Sequence, residues 1–386
     1  MTAPIIDRFP GLADGWARFD GPAGTVMVDS AIEAMRDYLS SVGTANVGGP
    51  FAASIATGAV FDGARAVVGE LLGARPDQVV FGANMTTITF AFTRMISRML
   101  VPGDEIVCTE LDHDANVTPW VRAAEECGAA VVLARLDPST GRLPVDAVAS
   151  CLTERTRWVA VTGASNLIGT MPDLAGIIDA SHRAGARVYV DAVHLAPHRR
   201  IDVAALGCDA LVTSPYKWYG PHAGVLVLEA GLLDELEPYR VRPAPARGAR
   251  SFETGTPSFE AIAGVGAAAR FLLDQGMETT AAAELQTFVP LLDGLQSIAG
   301  VTVHGPVDVI DRAPTVLFSV RGKHPTEVAA ALAAERVAVW SGDSYAVEAA
   351  RALGLTDAGV GVRAGVVRYS TDEDVQQLLR AVDTIA

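Results

Sequence analysis

The sequence predicts an α/β protein with a mostly parallel sheet covered by helices, followed by a smaller α+β unit. Apolar runs rich in Val and Ile alternate with amphipathic stretches, the βαβ grammar of a parallel sheet. The runs are continuous rather than alternating, as strands buried on both faces require. The alternation then stops near residue 275 and a different order of elements begins. A length of 386 residues, against roughly 150 for an average domain, allows two to three domains, and an apolar half of the residues can fill their cores.

In order, the strands are predicted at DQVVFGA (77–83), DEIVCTEL (104–111), AAVVLARL (129–136), RWVAVTGAS (157–165), ARVYVDA (186–192), DALVTS (209–214) and GVLVLEA (224–230). Between them lie the helical stretches TTITFAFTRMISRML (86–100), TPWVRAAEECG (118–128), DLAGIIDASHRAG (173–185) and DVAALG (202–207). This large domain spans 20–275 and ends in the helix SFEAIAGVGAAARFLLDQG. The small α+β domain, 276–386, follows as helix (280–298), strand (VTVHG), strand (PTVLFSV), helix (PTEVAAALAAE), strand (VAVWSG) and closing helix (372–385), with residues 1–19 expected to pack on it.

Charge and composition exclude several functions. Thirty basic against 45 acidic side chains leave a net charge of −15, which repels nucleic-acid phosphates. No run of 18 apolar residues suggests a membrane span, and Met1 to Pro10 offers no apolar signal core, so a soluble cytoplasmic protein is expected. Cys108, Cys127, Cys151 and Cys208 form no CxxC and no Cys/His pairing at metal-ligand spacing; they read as small buried thiols in strands or helices, with no metal site. The loop from Tyr239 to Arg250, with Arg240, Arg242, Arg247 and Arg250, runs against the overall charge, either as a solvated loop or as a rim that draws in anions.

The most informative stretch is VYVDAVHLAPHRRIDVAALGCDALVTSPYKWYGPHAG. One predicted strand ends in Asp191, and the next ends in a turn carrying Lys217. Carboxyl ends of adjacent strands in an open α/β sheet face one crevice, so this acid and this amine can meet on one ligand. Pyridoxal phosphate makes that demand: a lysine bonds to it covalently, and a carboxylate holds its pyridine nitrogen protonated. Its phosphate needs donors, which the helix start in GANMTTITF offers through the amides near Met85, Thr86 and Thr87, and its ring needs a flat cover, which His113 can supply.

With these motifs in view, the chain resembles the class V aminotransferase family of fold-type I pyridoxal phosphate enzymes, in the branch of cysteine desulfurases and desulfurase-like proteins. The likeness runs from FDGPAGTVM to VVRYSTDEDV and is carried mainly by DAVHLAPHRRIDVAALGCDALVTSPYKWYGPHAGVL and FETGTPSFEAIAGVGAA. The resemblance implies that Lys217 carries the cofactor, Asp191 pairs with the pyridinium nitrogen and His113 stacks on the ring. It places Asn166 and His194 near the ring hydroxyl, with His194 where relatives usually have glutamine. Ser214, Thr86 and the Met85 amide would hold the phosphate, and Tyr216 stands where many relatives have a phosphate-binding histidine. Thr256 would reach the phosphate from the neighbouring subunit, which implies a homodimer with shared sites. Arg363, rather than the nearby Arg368, matches the arginine that grips a substrate α-carboxylate.

One segment departs from the family pattern. Where cysteine desulfurases carry a run like AVRTGHHC, this chain has AVWSGDSYA, with Trp340 at the arginine, Asp343 and Ser344 at the histidines and Tyr345 at the cysteine. A phenol cannot take up sulfane sulfur as a thiolate does. The expected activity is therefore a C–S lyase acting on an amino acid by β-elimination, with Lys217, kept neutral by burial and nearby cations, as the base. The alternatives are an aminotransferase using a keto acid acceptor, a racemisation, and a catalytically silent scaffold of the same fold.

Overall fold

The computed structural model describes residues 5–42 and 45–386. Met1 to Pro4, the head of the stretch read for a signal core, lie outside the described residues. Among the described residues no helix is long and apolar enough to cross a membrane.

Thirteen strands occur among the described residues: β1 (Ala17–Arg18), β2 (Val79–Gly82), β3 (Glu105–Thr109), β4 (Ala130–Ala134), β5 (Thr156–Thr162), β6 (Arg187–Asp191), β7 (Ala210–Thr213), β8 (Gly224–Leu228), β9 (Val301–His304), β10 (Thr315–Val320), β11 (Val337–Ala338), β12 (Trp340–Gly342) and β13 (Gly361–Gly365). Seven make one sheet in the order β2-β8-β7-β6-β5-β3-β4. From β7 to β4 every neighbouring pair is parallel, whereas β8 runs antiparallel to both β7 and β2. Strand β2 therefore shares the direction of β7.

Both faces of this sheet are covered, which explains the continuous apolar runs. Val107, Val159, Val161, Val188 and Val190 pack into one cluster, while Ile106, Cys108, Trp158, Ala160 and Tyr189 point into the other. The second layer is tied together by aromatic contacts in which Phe92 meets Trp120 and Trp158 edge-on.

The smaller sheet has the order β12-β13-β10-β9 and is antiparallel throughout. Here the structure departs from the expected elements. VAVWSG does not form one strand: β11 pairs with β1, and β12, beyond Val339, pairs with β13. Strand β13, GVRAG, was not anticipated at all, because two glycines and a buried arginine give neither an apolar run nor an alternation.

The N-terminal segment touches both sheets' surroundings. Phe9 is buried against Tyr219 and Phe271 of the large unit and Tyr369 of the small one, at ring separations of 5.3, 5.7 and 4.9 Å. Gly365 makes room for its continuation: a Cβ there would lie 2.2 Å from the Pro22 ring. Phe9→Ala removes a fully packed ring from this junction and is expected to destabilise the protein by about 3 to 5 kcal/mol. Urea unfolding checks this through the transition midpoint; an unchanged midpoint would mean that the segment is not held there.

Candidate active site

Strands β2, β3, β5, β6 and β7 all end on one edge of the large sheet. The segments that follow carry, in turn, Met85 and Thr86, His113, Asn166, Asp191, and Ser214 with Lys217. Strand order reverses between β3 and β5, since β4 lies outside β3 while β5, β6 and β7 continue the other way. Such a switch point leaves a crevice beyond the carboxyl ends. A cavity of about 460 Å³ occupies it, bordered by Met85, Thr86, His113, Asn166, Asp191, His194, Ser214, Tyr216 and Lys217.

Lys217 closes the short 3₁₀ turn Pro215–Lys217 after β7. The turn is fixed by the segment 20–28, whose Thr25 amide donates to the Tyr216 carbonyl (2.9 Å) and whose Thr25 hydroxyl accepts from the Tyr219 amide (2.8 Å). The Lys217 amine donates to the Pro22 carbonyl. It borders the cavity and is otherwise largely covered by protein. Burial, reinforced by the Arg363 charge and opposed by Asp191, lowers its pKa to about 7.

Asp191, at the tip of β6, is buried and accepts from the Val193 amide (2.9 Å). Burial raises its pKa to about 6, against the pull of that amide and of Lys217. His113 accepts the Ala115 amide on Nδ1 (2.9 Å), which fixes its ring orientation and leaves any proton of the neutral ring on Nε2. Burial first, then Lys217, lowers its pKa to about 4. Preceding it, buried Asp112 accepts from the Asn116 amide group (2.7 Å) and from the Thr109 hydroxyl, which anchors the bend after β3.

The helix Met85–Ile96 starts against the sheet because Gly82 and Gly224, paired in register, leave space. A Cβ at Gly224 would come within 2.7 Å of the Asn84 backbone. Two of the three amides expected to meet a phosphate are already engaged: Thr87 donates to the capping Asn84 side chain (2.8 Å) and Met85 to the Ser214 hydroxyl (3.1 Å). The expectation narrows accordingly, since a cap serves the helix end whether or not an anion is near.

Three expected residues, Thr87, Arg363 and Thr256, do not border this cavity. Arg363, buried on β13, reaches it through Asn166, whose carbonyl accepts from Nη1 at 2.8 Å; burial lowers its pKa to about 10, so it remains a cation at neutral pH. Thr256 borders a neighbouring cavity of about 320 Å³ instead, together with Thr87, Phe252 and His222. His194 borders the site with Nε2 paired to the Thr315 hydroxyl (2.9 Å), and burial keeps it neutral. The basic loop borders neither cavity, and its Arg250 pairs with Asp62.

Three contributors were missed. His222 borders both cavities and stacks on Tyr216 (5.1 Å, 17°); it stands five residues beyond Lys217, in the motif already singled out. Pro22 and Ser344 act through backbone carbonyls, which leave no residue-type signal; the second accepts from Asn166 Nδ2 at 2.8 Å. The site fits pyridoxal phosphate. It joins an amine, a buried acid, a neutral flat ring and a helix start, and Asn166 Oδ1 is buried without a hydrogen-bond partner, an acceptor that a ligand donor satisfies.

The low Lys217 pKa has a direct test in the cofactor-free protein. Only the neutral amine attacks an aldehyde, so labelling of Lys217 by a small aldehyde with borohydride should rise with pH to half its maximum near pH 7. Peptide mapping reads the extent; a midpoint near the ordinary lysine value of about 10.4 would mean that the amine is not desolvated.

The profile described as aminotransferase class-V matches residues 18–378. A probable cysteine desulfurase of Halalkalibacterium halodurans is 31% identical over 341 residues, covering 84% of this chain and 81% of that one. Among solved structures, the cysteine desulfurase CsdA of Escherichia coli has a TM-score of 0.89 at 28% identity, covering 98% of this chain and 96% of that chain. The apo cysteine desulfurase of Thermococcus onnurineus NA1 has a TM-score of 0.94 at 25% identity, covering 100% and 98%. The chain therefore belongs to the class V aminotransferase family, as a cysteine desulfurase-like, pyridoxal phosphate-dependent enzyme.

Proposed function

We propose that the enzyme is a C–S lyase that removes a sulfur substituent from the β-carbon of an amino acid by elimination. The observation that carries this reading is a desolvated amine, Lys217, in a cavity that no cysteine borders. When bound, pyridoxal phosphate supplies an electron sink that makes the substrate α-carbon acidic.

The chain's own groups divide the remaining work. With a pKa near 7, Lys217 Nζ is neutral in a large fraction of molecules at physiological pH and can accept the α-proton. Asp191, ionised above about pH 6, supports positive charge on a ring nitrogen facing it. His113, uncharged at neutral pH, would cover the ring without adding repulsion to that nitrogen. Arg363, held behind the cavity wall by the Asn166 carbonyl, keeps its charge and would attract an α-carboxylate bound in front of it. Ser214, Thr86 and the start of the helix Met85–Ile96 would hold the phosphate, with Tyr216 nearby, and Asn166 and His194 would serve the ring hydroxyl. Thr256, on the wall of the neighbouring cavity, serves the site of a second subunit in a cytoplasmic homodimer.

The cysteines explain why elimination is preferred to desulfuration. Burial pushes the Cys108 thiol up and raises that of Cys208 to about 12, so neither is a thiolate at neutral pH. Cys127 donates to the Ala123 carbonyl of its own helix, and Cys151, in the turn after the helix Val145–Ala149, donates to Ala147. Cys208 likewise lies in a connection, before β7, rather than within a strand or helix. With no cysteine bordering the cavity to receive sulfur, the leaving group departs as a thiol. Water then completes the conversion of the remaining fragment to a keto acid and ammonia.

Cysteine and its S-conjugates are the substrates to screen. Release of pyruvate, ammonia and thiol in equal amounts without an amino acceptor is the expected result; product that appears only when a keto acid is supplied would identify an aminotransferase, and no spectral response to any amino acid would identify a silent scaffold. Lys217→Ala should lower turnover by several orders of magnitude. Cys208→Ala should leave turnover intact and cost no more than about 2 kcal/mol of stability in a urea titration; loss of activity in that variant would return a thiol to the mechanism.

A further inference from the structure

Residues Asp343 to Ala346 form a tight turn closed by the Ala346 amide donating to the Asp343 carbonyl at 2.9 Å, with the Tyr345 amide on the Asp343 side chain at 2.9 Å. Its central residues, Ser344 and Tyr345, both have positive φ, 51° and 60°. Turns of that kind are usually built from Asn and Gly, because a side chain strains the left-handed backbone. Two adjacent side-chain-bearing residues persist there only when their surroundings hold them.

Three contacts from this turn to the active site do so. The Ser344 carbonyl accepts from Asn166 Nδ2 at 2.8 Å, the Tyr345 carbonyl accepts from the Asp114 amide at 2.7 Å, and the Tyr345 ring stacks on His113 with centroids 5.4 Å apart and planes 28° from parallel. The turn is anchored on both sides: Gly342 is paired with Gly361 at the end of β12, and Ala346 is fully buried. Tyr345 itself is 71% exposed, so its ring does not serve as core.

We infer that Tyr345 is a positioning residue: its ring backs the His113 imidazole, and the turn that carries it latches Asn166 and His113 in place at the mouth of the site. The hydrogen bond from Ala115 sets which way the imidazole faces, but it acts at one atom and leaves the ring free to tilt. Stacking on Tyr345 removes that freedom. Asn166 also accepts from Arg363, so the same turn steadies the residue that leads to the substrate-binding arginine. The inference rests on the proposed role of His113 as the ring's cover and is independent of which reaction follows.

The test compares Tyr345→Ala with Tyr345→Phe in the full chain, with and without cofactor. In the cofactor-free protein, NMR titration of His113 should move from about pH 4 toward the ordinary value of about 6.5 in Tyr345→Ala, because burial is the main cause of the depression, and stay low in Tyr345→Phe. The charged groups that face His113, namely Lys217, Asp114, Arg363 and Asp343, are unchanged in both variants. In the holoenzyme, Tyr345→Ala should weaken the visible circular dichroism of the cofactor and lower kcat by about tenfold or more, with Tyr345→Phe restoring both. The idea is overturned if Tyr345→Ala leaves the His113 titration and the dichroism unaltered, or if Tyr345→Phe is as impaired as Tyr345→Ala. A wild-type protein that does not take up pyridoxal phosphate would refute the proposed function alone, since the His113 titration still decides the role of Tyr345.

Discussion

Desolvation of the Lys217 amine is the constraint around which the site is organised. Depressing a lysine from about 10.5 to about 7 corresponds to several kcal/mol of preference for the neutral form. Asp191 works against that preference, and burial together with Arg363 outweighs it. The balance is useful because neither extreme suits the proposed chemistry: a fully charged amine cannot take a proton, and an acid left neutral cannot support a ring cation. The same cavity that lowers the amine raises Asp191 only to about 6, so acid and amine are both competent over a shared range near neutrality.

This balance requires structure from distant parts of the chain. The large sheet contributes strand tips, which are rigid because both faces of the sheet are packed. The N-terminal segment contributes the Pro22 carbonyl that accepts a hydrogen bond from the amine, and Gly365 on β13 is what allows Pro22 to approach. Strand β13 carries Arg363 two residues earlier and pairs with β12, which leads directly into the turn on His113. One edge of the small sheet thus presents the cation, the clearance for Pro22 and the turn, so a displacement of that edge alters all three together.

The sequence made the large sheet legible because strands buried on both faces leave an unmistakable apolar run, and all seven appear where Val and Ile cluster. Asp191, Lys217 and His113 were legible because strand ends in such a sheet converge, so chain order alone brought them together. Strand β13 was not, since GVRAG owes its conformation to pairing with β10 and β12 rather than to its own residues. The division of VAVWSG was hidden for the same reason: two different partner strands pull its halves apart. Contacts made by the Pro22 and Ser344 carbonyls have no side-chain signature to read, and His222 lies in the lysine motif at a position that no pattern of residue type marks.

The segment AVWSGDSYA, read from the sequence as departing from the desulfurase pattern, lies in the small unit, whereas the groups proposed for proton abstraction stand on the large sheet. That separation matters chemically. On the proposed reading, removal of the α-proton falls to Lys217 and Asp191, and both stand at strand tips that this turn does not form. What happens to the β-substituent depends on what meets it from the other side of the site. A thiolate there offers a nucleophile for sulfur; a tyrosine stacked on His113 offers a plane and no thiol. On the proposed reading, a tyrosine at the place of the desulfurase cysteine leaves the first step intact, removes the sulfur acceptor, and makes that position part of the wall that holds the ring's cover still.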